Sequence, residues 1–96
     1  MSDIKLYRLT TGEEIVARYV GDYPDGHYVQ NPIAMYAAEE GKIGFMPFMP
    51  YTDAADGLEI KDVNIVFILN PIPEIIAQYK QATSAIIVPP KQGIIV

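Results

Sequence analysis

The stretch from Ile4 to Val20, IKLYRLTTGEEIVARYV, restricts the fold of this chain more than any other part of it. Two runs of β-prone residues flank a Thr11-Gly12 turn, where glycine supplies the positive φ that a tight turn requires. Beyond the turn, Ile15, Ala17 and Tyr19 recur at the strand period of two and share one face. Ala17 is the smallest of the three and marks where a sharply bending strand has least room. A curved hairpin of this kind begins a small barrel.

The rest of the chain supplies the remaining strands. Ile4–Thr10 and Glu14–Gly21 are the first two, and Asp22-Tyr23-Pro24-Asp25-Gly26 is a strong turn signal. His27–Ala37 follows as a third strand, interrupted at Asn31-Pro32, and Glu39–Lys42 turns the chain again. A fourth strand begins at Ile43 and meets MPFMPY. Proline donates no ladder hydrogen bond, and the odd spacing of Pro47 and Pro50 would aim the missing donors at opposite neighbours. A bend at or near a sheet edge is therefore expected there. Asp53–Gly57 is a polar loop, and Leu58–Ile60 a short extended piece. Val63–Leu69 (VNIVFIL) is almost continuously apolar, which suggests burial on both faces. Asn70-Pro71-Ile72-Pro73 ends the sheet and opens a helix to about residue 84, with Pro73 in its first turn. Ile72, Ile75, Ile76, Tyr79 and Thr83 form its apolar face. Residues 86–96 form an apolar tail whose Ile94-Ile95-Val96 is expected to dock on its own domain or on another copy.

Ninety-six residues make one domain, 1–96, with a single modest core. Half of the residues are hydrophobic, a surplus that small folds often place in oligomer contacts. The absence of cysteine excludes disulfides and thiolate metal sites. No apolar run is long enough for a transmembrane helix, and MSDIKLYR does not read as a signal peptide. A soluble, cytoplasmic protein with no membrane partner is expected. A net charge of −5 argues against gripping nucleic acid by bulk electrostatics, so any such binding must come from a local constellation.

Leu9, Gly12, Ile15, Ala17 and Tyr19, followed by Gly21, form a pattern that resembles the first motif of the Sm-like (LSm) proteins. Asn64–Ile68 resembles the last strand of their second motif. The combination of GEEIVA, MPFMP and a C-terminal PxPE helix is similar to a phage-type, marine (cyanophage-like) Sm-like group. The resemblance implies a mainly β fold, a small, strongly bent five-stranded open barrel of the Sm-like, SH3 type, here with a C-terminal α-helix. It also implies a bacterial host, a homo-oligomeric ring (pentamer to heptamer) and single-stranded RNA or DNA as ligand. Three features depart from the family. No helix precedes the first strand, Lys61-Asp62-Val63 stands where the family carries Arg-Gly, and Asp22 and His27 only approximate its Asp and Asn.

Candidate nucleic-acid-binding residues are Tyr23, a stacking face, His27 and Lys61, which can meet a base or a phosphate, and Asn64, which can bond a base edge. Each also has an ordinary surface or turn role. Met46, Phe48, Val66 and Ile68 are the expected subunit interface, joining the bent fourth strand of one subunit to the last strand of the next. Arg8 and Arg18 are expected to pair with nearby carboxylates. The pairs Glu13-Glu14 and Glu39-Glu40 read as solvated charge. No phosphate-binding loop, nucleophile elbow or zinc-protease motif occurs, one histidine excludes a triad or multi-histidine site within one subunit, and a calcium loop around Asp53–Gly57 is rejected because, with Gly57 at its sixth position, Thr52, Ala54 and Val63 fall at the first, third and twelfth. No enzyme, metal or cofactor is expected. The alternative to a nucleic-acid-binding ring is a structural or adaptor ring for protein contacts. A monomeric SH3-like module is a third reading.

Overall fold

A computed structural model describes residues 3–87, and the first hairpin forms in it as the sequence dictates. Strand β1 (Ile4–Leu9) pairs antiparallel with β2 (Glu14–Tyr23), in a register that sets Tyr7 opposite Ile15 and Leu6 opposite Val16. Gly12 carries the turn at φ 97°, its N–H donating to the Leu9 carbonyl.

β2 turns through Pro24-Asp25 into β3 (Gly26–Ala37), which is longer than either neighbour and runs through Asn31-Pro32 without ending. The expected interruption is a bulge instead. Val16 faces Ile33 and Arg18 faces Gln30, so β3 carries an extra residue opposite Ala17. Asn31 takes the left-handed conformation there, with φ 48°. A bulge sharpens local twist, which is how the strands bend around Ala17.

The outer edge of β3 is paired along two separate stretches. Strand β4 (Ile43–Pro47) pairs with residues 33–37, and β5 (Leu58–Lys61) with residues 26–29, both antiparallel. They are separate strands sharing that edge, so six strands stand where the sequence suggested five. The break falls just after Pro47, where Met49 adopts φ 57° and the Phe48 N–H donates to the Pro32 carbonyl. The bend expected at the two prolines is present, and it lies on a sheet edge.

A 3-10 turn at Asp62–Asn64 leads into β6 (Ile65–Leu69), which pairs with β1 on the far side of the sheet. The sheet order is therefore β4-β3-β2-β1-β6, with β5 beside β3, and the sheet does not close. VNIVFIL is not buried on both faces within the protomer. Val63 lies in the 3-10 turn, and Val66, Phe67, Ile68 and Leu69 are all exposed. Only Ile65 packs on the core, because β6 is an edge with one neighbour.

Helix α1 (Pro73–Ile87) runs slightly further than the sequence suggested. Nine residues, 88–96, including Ile94-Ile95-Val96, lie outside the described part, so the expected docking of the tail falls there too. The helix places Tyr79 against Ile4, Val16 and Ile33, with Ile75 and Ile76 beside them, whereas Ile72 is exposed. The opposite sheet face carries the second apolar cluster, in which Tyr7, Leu9, Ile15, Ala17, Val29 and Ile60 meet. β2 thus buries successive residues on both faces, and the sheet lies between helix and barrel interior. Among the described residues, no helix is long and apolar enough to cross a membrane.

Burial also sets how two tyrosines titrate. Tyr7 is pushed up to about 12, by desolvation first and then by the charges of Tyr19 and Asp22. Tyr79 is likewise raised to about 12 by desolvation. Folding favours the neutral phenol in both, so this contribution to stability is complete below about pH 10 and is lost as pH rises toward 12. In an alkaline titration followed by phenolate absorbance, these two should ionise last and together with unfolding. Tyr7→Phe should remove part of the late step. A single transition for every tyrosine at the ordinary value would contradict the packing.

Candidate functional site

The tip of the β2–β3 hairpin and the 3-10 turn before β6 are distant in sequence but meet in space. The Asp62 N–H donates to the Asp25 carbonyl at 2.8 Å, and Gly26 stands opposite Lys61 in the β3–β5 ladder. This approach needs glycine, since a Cβ on Gly26 would lie 2.6 Å from the Ile60 carbonyl oxygen.

Three of the four residues singled out for a ligand lie at this end, with Tyr23 and Lys61 on one face of the sheet and His27 on the other, as the register sets them. Tyr23, at the end of β2, is about half exposed and stacks on Tyr28, with ring centres 5.5 Å apart and planes within 4° of parallel. His27 leaves β3 beside two further rings, Tyr19 at 5.5 Å and Tyr7 edge-on at 5.9 Å. Its Nδ1 lies 4.0 Å from Asp22 and its Nε2 3.9 Å from Asp62, distances longer than hydrogen bonds. Lys61 lies across the ladder from the hairpin, its Nζ 3.3 Å from Glu59 and 3.5 Å from Asp25. Asn64 sits one turn further on. Its backbone carbonyl accepts from the Thr10 N–H, and with Lys61, Leu58 and Phe48 it lines a groove of about 310 Å³ at the open side of the sheet.

Lys61 is thus matched by carboxylates, and His27 stands between two of them. The hydrogen bond to Glu59, and then the charge of Asp25, raise the Lys61 ammonium above its usual range. Tyr19 is also raised, chiefly because its hydroxyl donates to Asp22 at 2.5 Å. Beneath them the Tyr7 hydroxyl is fully buried, and neither it nor His27 Nδ1 has a hydrogen-bond partner among the described residues. Sequence reasoning did not place Tyr7, Tyr19, Asp25, Glu59 or Asp62 at the site. The one available signal was the period-two face of Ile15, Ala17 and Tyr19, which ends at this cluster.

The residues chosen for a subunit interface fall on the two unpaired edges. Met46 is exposed on β4, and Val66 and Ile68 are exposed on β6. Phe48 differs, because it is half-buried against the protomer's own core and its N–H is bonded to β3. Arg8 pairs with Glu14 at 2.8 Å, as the strand register requires. Among the described residues, no group of three or more His, Asp or Glu is placed to hold a metal ion. The chain matches no protein-family model and no curated protein sequence.

Proposed function

We propose that this chain is a non-catalytic Sm-like protomer that closes a homo-oligomeric ring, pentamer to heptamer, and presents the hairpin-tip cluster around its pore to a single strand of RNA or DNA. The observation that carries the ring is the pair of unsatisfied sheet edges. β6 exposes Val66, Phe67, Ile68 and Leu69, and β4 exposes Ile43 and Met46. Apolar edges of this kind are natural templates for another chain. Two different edges on one protomer make a head-to-tail contact, which closes when the rotation per subunit divides a full turn.

The stacked Tyr23–Tyr28 pair supports the nucleic-acid reading, since aromatic side chains hold bases with little sequence preference. Repetition around a ring multiplies such weak contacts. With Lys61 and His27 facing carboxylates, few phosphates are neutralised, so binding should depend only weakly on salt. A second reading, an adaptor ring for protein contacts, has its own support in the two carboxylates that stand beside each of His27 and Lys61.

Light scattering tests the ring. The wild-type chain should have the mass of a pentamer to heptamer, and Val66→Asp with Ile68→Asp should reduce it to a monomer, whereas a wild-type monomer at high concentration would end the ring reading. Fluorescence anisotropy with single-stranded oligonucleotides tests the ligand. Tyr23→Ala should weaken binding about tenfold, the equivalent of one lost stacking contact of ~1–3 kcal/mol. No binding by an intact ring would leave the assembly and remove nucleic acid.

A further inference from the structure

We propose that the furrow between α1 and β4 seats this chain's own segment Ile94-Ile95-Val96, which straps the helix to the sheet. The furrow has two joined parts. One, of about 230 Å³, is lined by Ile33, Phe45, Met46, Pro47 and Ala82. The other, of about 430 Å³, shares Phe45 and Ala82 with it and adds Gln78 and Gln81. It opens because the helix changes along its length. Ile75, Ile76 and Tyr79 pack against the sheet, whereas the next turn of the same face brings only the methyl of Ala82. The β4 wall is left with apolar surface, and Met46 is 48 % exposed. A contiguous apolar surface of this kind marks a contact site.

Reach and chemistry choose the occupant. Helix α1 ends at Ile87, so the chain leaves it about 7.5 Å past Ala82 along the axis. Residues 88–96 read VPPKQGIIV. Pro89-Pro90 cannot continue the helix, and Gly93 permits a reversal before three β-branched apolar residues. Residues 88–93 span up to ~20 Å, more than twice the return to Ala82. Ile94, Ile95 and Val96 match walls whose polar groups are limited to Gln78 and Gln81. A segment tethered this closely has a far higher effective concentration than the same segment of another copy, so each chain fills its own furrow. The strap goes beyond the ring reading and does not depend on it.

The chain contains no cysteine, so an introduced pair reports one distance. A disulfide forms only when two Cα atoms approach within ~7 Å. In a glutathione redox buffer, Met46→Cys with Val96→Cys should close within one chain about tenfold more readily than Leu58→Cys with Val96→Cys. The second pair probes the rival groove on the other face of the sheet. Ile94→Asp should bring the first pair down to the level of the second. In the chain without cysteines, Ile94→Asp with Val96→Asp should lower the urea midpoint by about 1 M. Equal closure of the two pairs, a bridge joining two chains, or an unchanged urea midpoint would overturn the inference. Val66→Asp with Ile68→Asp, added to the Met46 and Val96 cysteine pair, keeps the strap and the ring apart. Closure should persist there whatever light scattering reports of the ring, and its loss would overturn a strap made within one chain.

Discussion

Tyr79→Ala should destabilise the fold by about 4 kcal/mol, the largest loss expected from any single truncation in the helix. Tyr79 is 2 % exposed and sits within the apolar cluster of Ile4, Val16 and Ile33, with Ile75 and Ile76 partly buried against it. Its second role is at the β3 bulge. There the extra residue disrupts the ladder, and the carbonyls of Asn31 and Gln30 receive the Tyr79 hydroxyl at 2.8 and 3.3 Å. Removing the ring opens a cavity beneath the helix and leaves those carbonyls without the hydroxyl. Domains of this size are stable by only about 5–15 kcal/mol, so Tyr79→Ala should remove a large share of the total. Tyr79→Phe keeps the ring and loses the hydrogen bonds, at a cost of about 1 kcal/mol. Urea unfolding of the three chains decides the matter. Equal losses for Ala and Phe would show that the hydroxyl, rather than the packing, fastens the helix.

The same contact shows where sequence could and could not be read. Period-two patterning and Gly12 defined the first hairpin to within a few residues, because both signals are local. The helix face was also visible, since Ile75, Ile76 and Tyr79 recur at helical spacing. Its target was not, because nothing local says that a bulge at Asn31-Pro32 will need a hydroxyl from residue 79. That dipeptide read as an interruption because proline and a left-handed asparagine normally end strands, whereas here the bulge absorbs both. VNIVFIL misled for a different reason. A continuous apolar run looks the same in a central strand as in an edge strand that leaves its residues exposed, and only the sheet order separates the two.

The site was legible as a set of residue types and illegible as an electrostatic environment. Tyr23, His27 and Lys61 could be chosen because turns and the residue before a last strand are common binding positions. The carboxylates placed around His27 and Lys61 could not be foreseen. Asp25 reaches Lys61 across the hairpin, and Asp62 reaches His27 from the turn before β6, both through tertiary closure. β5 itself read as a short extended piece, because its pairing with residues 26–29 is set by the bend rather than by its own four residues.

That closure hinges on Gly26, and Gly26→Ala should break it, with a loss of about 2 kcal/mol. The added methyl would stand 2.6 Å from the Ile60 carbonyl oxygen and 3.1 Å from the Lys61 Cα, both backbone atoms that cannot swing aside as a side-chain tip would. The strands must separate at this point. Separation strains the Asp62-to-Asp25 backbone bond and draws Asp62 away from His27 and Lys61 away from Asp25. Gly21 is the control, with nothing within 4 Å of its notional Cβ and no left-handed φ. Gly21→Ala should be neutral or stabilising by about 0.5 kcal/mol, through the unfolded chain's lost freedom. Amide exchange gives the local readout. In Gly26→Ala the N–H groups of residues 58–62 should exchange faster while those of β1 and β2 keep their protection, and Gly21→Ala should leave both unchanged. If the Gly26 variant kept full protection at β5, the ladder would tolerate the methyl and the two loops would be joined by something other than this close approach. If β5 is released as expected, any ligand that needs Tyr23, His27 and Lys61 together should be lost with it, so the binding defect should exceed that of any one of those side chains replaced alone.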